Sequence, residues 1–194
     1  MGRKYSKILS LLMCPFLALS KVTPRFILNY LMYFTYILPS PMSFALRYII
    51  VSGLVNSIGD NVYIGDNVTL KNAKNINIGN NVSIHNNCYL DGAGVINIGD
   101  DVSIAHNSSI ISFEHTWEDQ TVPIKYNPTV LKPVFIDKDV WIGCGVRVLA
   151  GTSIQSRSIV AAGSVVKGTI EAGSIVGGVP AKVIRRIERV NNAI

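Results

Sequence analysis

The hexapeptides IGDNVY at 58–63, IGDNVT at 64–69, IGNNVS at 78–83, IGDDVS at 98–103 and IGCGVR at 142–147 decide the fold of this chain. Each unit begins with isoleucine and continues with glycine and, in most units, small polar residues. A unit this short cannot bury its aliphatic side chain alone, so successive units must stack on one another. The repeat therefore predicts an all-β solenoid with a continuous aliphatic interior.

The spacing of the aliphatic residues predicts the shape of each coil. Three hexapeptides make a triangular coil of about 18 residues with one short strand per side, and Gly, Asn and Asp suit its corners because they tolerate positive φ. From Ile136 onward the aliphatic residues recur once per hexapeptide without interruption. The earlier coils are longer, and we expect them to carry two extra residues at one corner. The columns of the longer coils are Ile58, Ile78 and Ile98; Ile64, Ile84 and Ile104; and Leu70, Leu90 and Ile110.

Length and composition indicate one ordinary domain with a short appendage. The chain has 194 residues, 48% of them hydrophobic. We divide it into an N-terminal basic, hydrophobic helical segment at 1–52, a solenoid domain at 53–180 and a C-terminal tail or short helix at 181–194. The three cysteines have no CxxC spacing, and their odd number argues against a disulfide framework. We therefore expect reduced cysteines in a cytoplasmic protein.

The N-terminal segment holds all of the excess positive charge. It contains six basic residues and no acidic residue, whereas the rest of the chain is balanced. Its apolar run at 26–38 is shorter than the ~20 residues that span a bilayer, and no signal-peptide cleavage site follows it. Two interpretations stay open: the segment caps the first coil, or it lies on the anionic inner face of a membrane. Nucleic acid is not an expected partner.

The repeat is interrupted once, between Ser112 and Pro133, which predicts an excursion loop at 113–135. Long excursions from a regular fold are usually functional. This one carries His115 among three acidic residues, and histidine is the side chain best suited to general-base catalysis near neutral pH. A neighbouring carboxylate would fix the tautomer of His115 and raise its basicity. The alternative is a surface histidine in a solvated acidic loop.

Three further blocks carry a resemblance to a known family. They are VWIGCGVRVLAGTSI at 140–154, AAGSVV at 161–166 and GGVPAKVIRRI at 177–187. With the repeat and the His115 loop, they resemble the hexapeptide-repeat acyltransferases, most closely the sugar O-acetyltransferases of polysaccharide and lipopolysaccharide biosynthesis, over about residues 53–190. The resemblance implies a left-handed parallel β-helix, an exception to the right-handed crossover rule. It also implies acetyl-CoA as co-substrate, a sugar or polysaccharide-precursor acceptor, and a homotrimer with sites between subunits.

The resemblance also implies roles for particular residues. His115 matches the catalytic base, and the Cys144 N–H is our candidate for stabilising the oxyanion. The residues expected to contact the donor are Trp141, Cys144, Ala162, Gly163, Ser164, Lys182, Arg185 and Arg186, with the last three pairing with CoA phosphates. One departure concerns Lys167, because it stands one position away from the lysine that the family has after its V-V pair. A phosphate contact from Lys167 is therefore in doubt.

Acceptor contacts are implied for Asp91, Gly92 and Asn87, all on the coil before His115. Asp91 would bind a sugar hydroxyl or orient the base. The alternative for Asp91 and for Asn87 is a corner residue whose side chain satisfies the local backbone.

Other functions are weighed against this one. The γ-class carbonic anhydrases share the fold and bind zinc through three histidines, but His106 falls one position out of step with His85 on the longer coils, so these two should not converge. We therefore expect no metal. N-acetylation of an amino sugar would use the same base and donor site with a different acceptor pocket. A non-catalytic scaffold would show no effect of His115→Ala.

Overall fold

Residues 7–38 and 42–187 are described by the computed structural model of this chain. Three helices come first: α1 (Lys7–Val22), α2 (Arg25–Phe34) and α3 (Met42–Leu54). The next ten elements are β1 (Ser57–Ile58), β2 (Tyr63–Ile64), β3 (Thr69–Lys71), β4 (Ile76–Ile78), β5 (Ser83–Ile84), β6 (Tyr89–Asp91), β7 (Ile96–Ile98), β8 (Ser103–Ile104), β9 (Ser109–Ile111) and β10 (Phe113–His115). The remaining strands are β11 (Thr129–Leu131), β12 (Val134–Ile136), β13 (Trp141–Ile142), β14 (Arg147–Val148), β15 (Ser153–Ile154), β16 (Ile159–Val160), β17 (Val165–Val166), β18 (Thr169–Ile170), β19 (Ser174–Gly178) and β20 (Ala181–Arg186).

The strands form the three faces of a prism. Sheet A has the order β1-β4-β7-β12-β15-β18, sheet B has β2-β5-β8-β13-β16-β19-β20, and sheet C has β3-β6-β9-β14-β17. Within these faces every pair is parallel except β19–β20. The chain visits the faces in the order A, B, C in every coil. This is the parallel β-solenoid that the repeat predicts.

The aliphatic columns fill the prism. One column in sheet B consists of fully buried residues on successive coils, each stacked on the next: Ile64, Ile84, Ile104, Ile142, Val160 and Val176. Each buried isoleucine stabilises the fold by about 1.5–3 kcal/mol relative to an exposed one. The corners use the left-handed backbone region as predicted, with φ of +56° at Asn61 and +57° at Asn81.

Coil length changes twice along the prism. Ile78 pairs with Ile98 across one of the longer coils, and Ile136 pairs with Ile154 across a coil of three hexapeptides, as the spacing predicts. The last coil is shorter still, because Ile154 pairs directly with Ile170. Between the longer coils and the coils of three hexapeptides, Ile98 pairs with Ile136. The excursion loop therefore does not interrupt the stacking of the coils.

α3 covers the first coil and packs against both α1 and α2. Arg47 of α3 is fully buried; its Nε donates to the carbonyl of Ile64 at 2.8 Å, and Nη1 donates to Asp66 Oδ1 at 2.7 Å. The hydroxyl of Tyr48 donates to the carbonyl of Gly59 at 3.0 Å. These contacts satisfy backbone groups at the open end of the solenoid. In the described ranges no helix is long and apolar enough to cross a bilayer.

The predicted C-terminal helix is wrong over residues 181–186. They form β20, which pairs antiparallel with β19 and closes the end of sheet B. The reason is that β19 would otherwise leave an open strand edge, and the β-branched residues Val183 and Ile184 favour a strand there. Residues 188–194 of the predicted tail lie outside the described residues.

Candidate active site

The excursion between β9 and β12 is a hairpin that leaves the prism at the corner between sheets C and A. β10 and β11 pair antiparallel, with Phe113 opposite Leu131 and His115 opposite Thr129. Beyond the strands, the hydroxyl of Thr116 donates to the carbonyl of Pro128 at 2.8 Å. His115 therefore occupies a defined position at the end of a paired strand.

Glu114, in the middle of β10, joins the hairpin to the prism. Lys132, just after β11, and Lys167, just after β17, both donate to its carboxylate, and Lys167 Nζ lies 3.3 Å from Glu114 Oε2. The hydrogen bond from Lys132, followed by that from Lys167, keeps the pKa of Glu114 below its usual range. The lysine that departs from the family pattern thus contacts the loop of the candidate base.

His115 is exposed, and its ring lies 6.2 Å from the ring of Phe113 between centroids. No carboxylate among the described residues forms a hydrogen bond with the imidazole of His115. The expectation that a nearby carboxylate orients this ring is therefore wrong for the described part of the chain. Glu114 binds lysines, Glu118 accepts from the backbone N–H of Trp117, and Asp119 accepts from Thr121. The hydrogen bond from its own backbone N–H, followed by that from Trp117, lowers the pKa of Glu118, and the hydrogen bonds from Thr121 lower the pKa of Asp119. The imidazole therefore faces outward without an acidic partner among the described residues.

The predicted acceptor residues lie at two different corners. Asp91 and Gly92 lie where sheet C turns to sheet A, close to the base of the hairpin, since the Asp91 carbonyl accepts from Ser112 Oγ at 2.7 Å. Asn87 is exposed at the opposite corner, between sheets B and C, with a φ of +60°. A Cβ on Gly92 would come within 2.7 Å of Ile76, so this glycine permits close packing.

Asp91 is almost fully buried, and its carboxylate is engaged locally. It accepts from Asn72 Nδ2 at 2.7 Å, from the Ala93 N–H at 3.2 Å and from the hydroxyl of Tyr89 at 3.3 Å. Burial, followed by the charge of Asp91, raises the pKa of that tyrosine. The carboxylate is therefore held rigidly beside the hairpin base, and three local donors share its oxygens.

The predicted donor contacts of the two central blocks lie on or beside the corner between sheets B and C. Trp141 is the outward residue of β13 and is 54% exposed. Cys144 follows β13, whereas Ala162 and Gly163 follow β16, so they occupy the same corner one coil apart; the Gly163 N–H donates to the Cys144 carbonyl at 2.8 Å. Ser164 is fully buried, and its hydroxyl donates to a backbone carbonyl at 2.7 Å.

The backbone N–H groups of Cys144 and Ala162 have no partner in the described part of the chain. In the first coil the corner N–H of Asp66 donates to the side chain of Asn86, one coil on, at 3.0 Å. At Cys144 the next residue in the stack is Ala162, which has no side-chain acceptor. Neither the Cys144 N–H nor the Ala162 N–H donates a hydrogen bond to any described residue. Small side chains here leave both donors open to a ligand.

The candidate base and the donor corner lie at opposite edges of one face. The hairpin carrying His115 starts where sheet C meets sheet A, whereas Cys144 and Ala162 lie where sheet B meets sheet C. The whole width of sheet C separates these corners. Within a single chain, Asp91 and Gly92 therefore lie near the hairpin, whereas the donor corner does not.

The predicted phosphate-binding cations lie on β20, next to the donor corner. The N–H of Gly178, in the β19–β20 hairpin, donates to Ser164 Oγ at 3.2 Å. Arg186 is already engaged, because its guanidinium donates to Ser174 Oγ at 2.7 Å. Lys182 and Arg185 are exposed and make no ion pair within the described residues.

A groove that the sequence did not suggest lies between α2 and the first coil. Its volume is about 480 Å³, and it is lined by Arg25, Lys71, Lys74 and Asn72, with two tyrosines and no acidic residue. The three cations make no hydrogen bond or ion pair with described residues. Asn72 also binds Asp91, so the groove adjoins the predicted acceptor corner. Arg25 and Lys71 line the same groove only because α2 packs beside the first coil.

Metal-binding geometry is absent from the described ranges, where no group of three or more His, Cys, Asp or Glu side chains could hold an ion. His106 stacks on Asn86 of the previous coil, and His85 stacks on Ala105. Burial raises the pKa of the thiol of Cys88, which points into the prism.

Comparisons with known proteins agree with this fold. No protein-family model matches the chain. A stretch of 76 residues is 42% identical to the probable acetyltransferase Rv3034c of Mycobacterium tuberculosis, and it spans 39% of this chain but only 25% of that protein. Only a quarter of the length of this curated relative is therefore matched.

Two solved structures share the fold over most of both chains. A maltose O-acetyltransferase from Clostridium difficile 630 has a TM-score of 0.77 and 28% identity, covering 85% of this chain and 87% of its own. A galactoside acetyltransferase in complex with coenzyme A has a TM-score of 0.76 and 29% identity, covering 91% and 84%. The left-handed solenoid prediction is confirmed by this match. In repeat, fold and sequence the chain resembles the hexapeptide-repeat acyltransferases, and sugar O-acetyltransferases are among its structural neighbours.

Proposed function

We propose that this protein transfers an acetyl group from acetyl-CoA to a hydroxyl group of a sugar in a surface polysaccharide or its precursor. The observation that carries the proposal is the pair of N–H groups at Cys144 and Ala162 that no described residue engages. They lie in a solenoid like that of the galactoside acetyltransferase in complex with coenzyme A. Open donors on a small-residue corner suit the amide carbonyls of a pantetheine arm.

The donor would lie along the corner between sheets B and C. The Ala162 N–H would bond a pantetheine amide, and the Cys144 N–H would bond either a second amide or the oxyanion that forms in the reaction. Trp141 would flank the arm. Lys182 and Arg185 on β20 are unpaired within the described residues and suit the CoA phosphates. Arg186 contributes less, because Ser174 already holds it.

The chemistry would be direct transfer with His115 as general base. Its imidazole would take the proton of the sugar hydroxyl while that oxygen attacks the thioester carbonyl. The tetrahedral intermediate would then expel the CoA thiolate, which is protonated to the free thiol. No acyl-enzyme is needed, since both substrates are bound together.

The site would be completed by a second copy of the chain. His115 and the donor corner lie at opposite edges of sheet C, which favours a site in which the hairpin of one copy reaches the donor corner of the next. Such a head-to-tail contact closes into a ring. A homotrimer gives each of three sites one hairpin and one donor corner.

The acceptor would bind beside the hairpin base, at Asp91 and in the groove that adjoins it. The unpaired cations Lys71 and Lys74 of the first coil suit an acceptor that carries a phosphate or carboxylate. Asn87 would then act from the neighbouring copy, since it lies on the donor-corner edge. We therefore expect an anionic saccharide to be a better acceptor than a neutral one.

Thiol release from acetyl-CoA tests this function. The wild-type protein is assayed against neutral sugars, phosphorylated sugars, nucleotide-linked sugars and amino sugars, beside His115→Ala. We expect turnover to fall by about 100- to 10,000-fold in the variant, which is the usual contribution of a general base. Tyr126→Phe, on the same hairpin, is the control and should keep its activity.

Two results would contradict the proposal. Equal turnover by wild type and His115→Ala would exclude the base. Acetylation only of amino sugars, with an amide product by mass spectrometry, would replace O-acetylation with N-acetylation.

A further inference from the structure

The outer surface of the helical segment carries a large apolar patch. Of the 24 large apolar side chains that are exposed in the described residues, 12 lie between residues 16 and 42. We call these 12 the helical patch: Phe16, Leu19, Val22, Phe26, Ile27, Tyr30, Leu31, Tyr33, Phe34, Ile37, Leu38 and Met42. The remaining 12 exposed large apolar side chains are distributed over the rest of the described chain.

The summed exposed area of the helical patch is at the upper end of what a monomer ordinarily leaves in water. Five of its members are aromatic, and each is between 57% and 69% exposed. An aromatic side chain offers roughly 200 Å², so these five alone leave on the order of 600 Å² exposed. Patches of this size on soluble proteins usually mark an interaction surface.

Packing of the helices explains why the patch faces outward. α2 buries only Leu28 and Met32, because these face α3. Phe26, Tyr30 and Tyr33 follow one another at steps of four and three residues, so they share a single face of the helix. Phe26 and Tyr30 do not line the groove against the first coil, whereas Tyr33 lies at its edge.

The charge beside the patch is of one sign. Lys21 lies in the last turn of α1 and Arg25 begins α2; both are exposed, and neither makes an ion pair with a described residue. Asp60 is the first acidic residue of the chain. Arg47 does not contribute, because it is buried against Asp66.

We propose that the helical patch docks the protein onto the surface of an anionic lipid membrane. Aromatic and aliphatic side chains would enter the headgroup region while Lys21 and Arg25 contact lipid phosphates. An isologous contact of two copies through the patch is disfavoured, since it would bring their unpaired cations together, and the head-to-tail contact proposed above uses the hairpin and the donor corner instead. Because α3 caps the first coil, docking would hold that end of the solenoid at the lipid surface. The inference does not depend on the proposed reaction.

Vesicle flotation of the full-length protein tests the proposal. Vesicles of phosphatidylcholine alone are compared with vesicles containing phosphatidylglycerol, at low and high salt. We expect binding to the anionic vesicles only, weakened by salt. Phe26→Ser with Phe34→Ser, and separately Lys21→Glu with Arg25→Glu, should each lower the bound fraction by at least tenfold. The controls are Phe135→Ser and Lys138→Glu on the solenoid, which should bind like wild type.

Each other outcome overturns the proposal. Failure of the wild-type protein to float with anionic vesicles excludes a membrane surface. Equal losses in the patch variants and in the controls exclude the helical patch as the docking surface. A changed molar mass by light scattering in Phe26→Ser with Phe34→Ser, with vesicle binding unchanged, shows that a second copy covers the patch. Thermal melting of each variant separates loss of binding from loss of fold.

Discussion

Glu114 is the single residue whose contacts most directly bear on the candidate base. It precedes His115 on β10, and its carboxylate holds one lysine from the hairpin and one from the prism. A base must stay close to its substrate proton, and a displacement of about 1 Å can cost up to 100-fold in rate. Glu114 is therefore a positioning residue in the proposed reaction.

Glu114→Gln removes the charge and keeps the shape of the side chain. We expect kcat to fall by about tenfold because the hairpin loosens, with KM for acetyl-CoA unchanged because the donor corner lies elsewhere. Steady-state kinetics with varied acetyl-CoA measures both. Glu118→Gln, which removes a carboxylate that contacts only the neighbouring residues Thr116 and Trp117, is the matched control. A rise in KM for acetyl-CoA would instead assign Lys167 and its partner to the donor site.

The same contact predicts a dependence on acid. Its lysine partners lower the pKa of Glu114, so the contact stabilises the folded hairpin above the unfolded pKa of about 4.3. That stabilisation is lost as the pH falls through the lower pKa of the folded state. Proteolysis of the hairpin should therefore be unchanged between pH 8 and 5 and accelerate below about pH 4. Glu114→Gln should show a smaller step, to which Glu118 and Asp119 on the same hairpin still contribute.

At the scale of elements, the aliphatic columns hold the coils in register. Ile104 is fully buried between Ile84 and Ile142, whereas Ser103 beside it points outward. Ile104→Ala should lower the free energy of unfolding by about 2–5 kcal/mol, because it removes buried methylene groups and leaves a cavity. Ser103→Ala should change it by less than about 0.5 kcal/mol. Urea unfolding compares the two, and equal midpoints would contradict the stacked-column account.

The two ends of the solenoid are closed by different elements. α3 covers the first coil through the buried Arg47, and β20 closes sheet B at the last coil. The hexapeptide period includes neither α3 nor β20, so periodicity could not predict the secondary structure at either end. β20 was missed because a short segment rich in lysine and arginine is ambiguous until a strand edge is available to pair with it.

At the scale of the whole molecule, the proposed site between copies can be tested by mixing variants. His115→Ala removes the base, and Ala162→Tyr fills the donor corner, so each should be inactive alone. In trimers assembled from equal amounts, about one quarter of the sites would combine an intact hairpin with an intact corner of the next copy. Co-expression should therefore restore about a quarter of wild-type thiol release. No restoration would mean that one chain supplies both parts.

The sequence by itself determined the solenoid, because a hexapeptide period leaves an aliphatic side chain no other way to be buried. It also singled out the His115 excursion and the small residues at the donor corner, since both are departures from that period. Only the tertiary structure decided how they are arranged. The contact of Lys167 with Glu114, the groove shared by Arg25 and Lys71, and the separation of His115 from Cys144 by sheet C all join residues distant in the chain. Such contacts depend on how the coils stack and how the helices pack on them, and a local repeat carries no information about either.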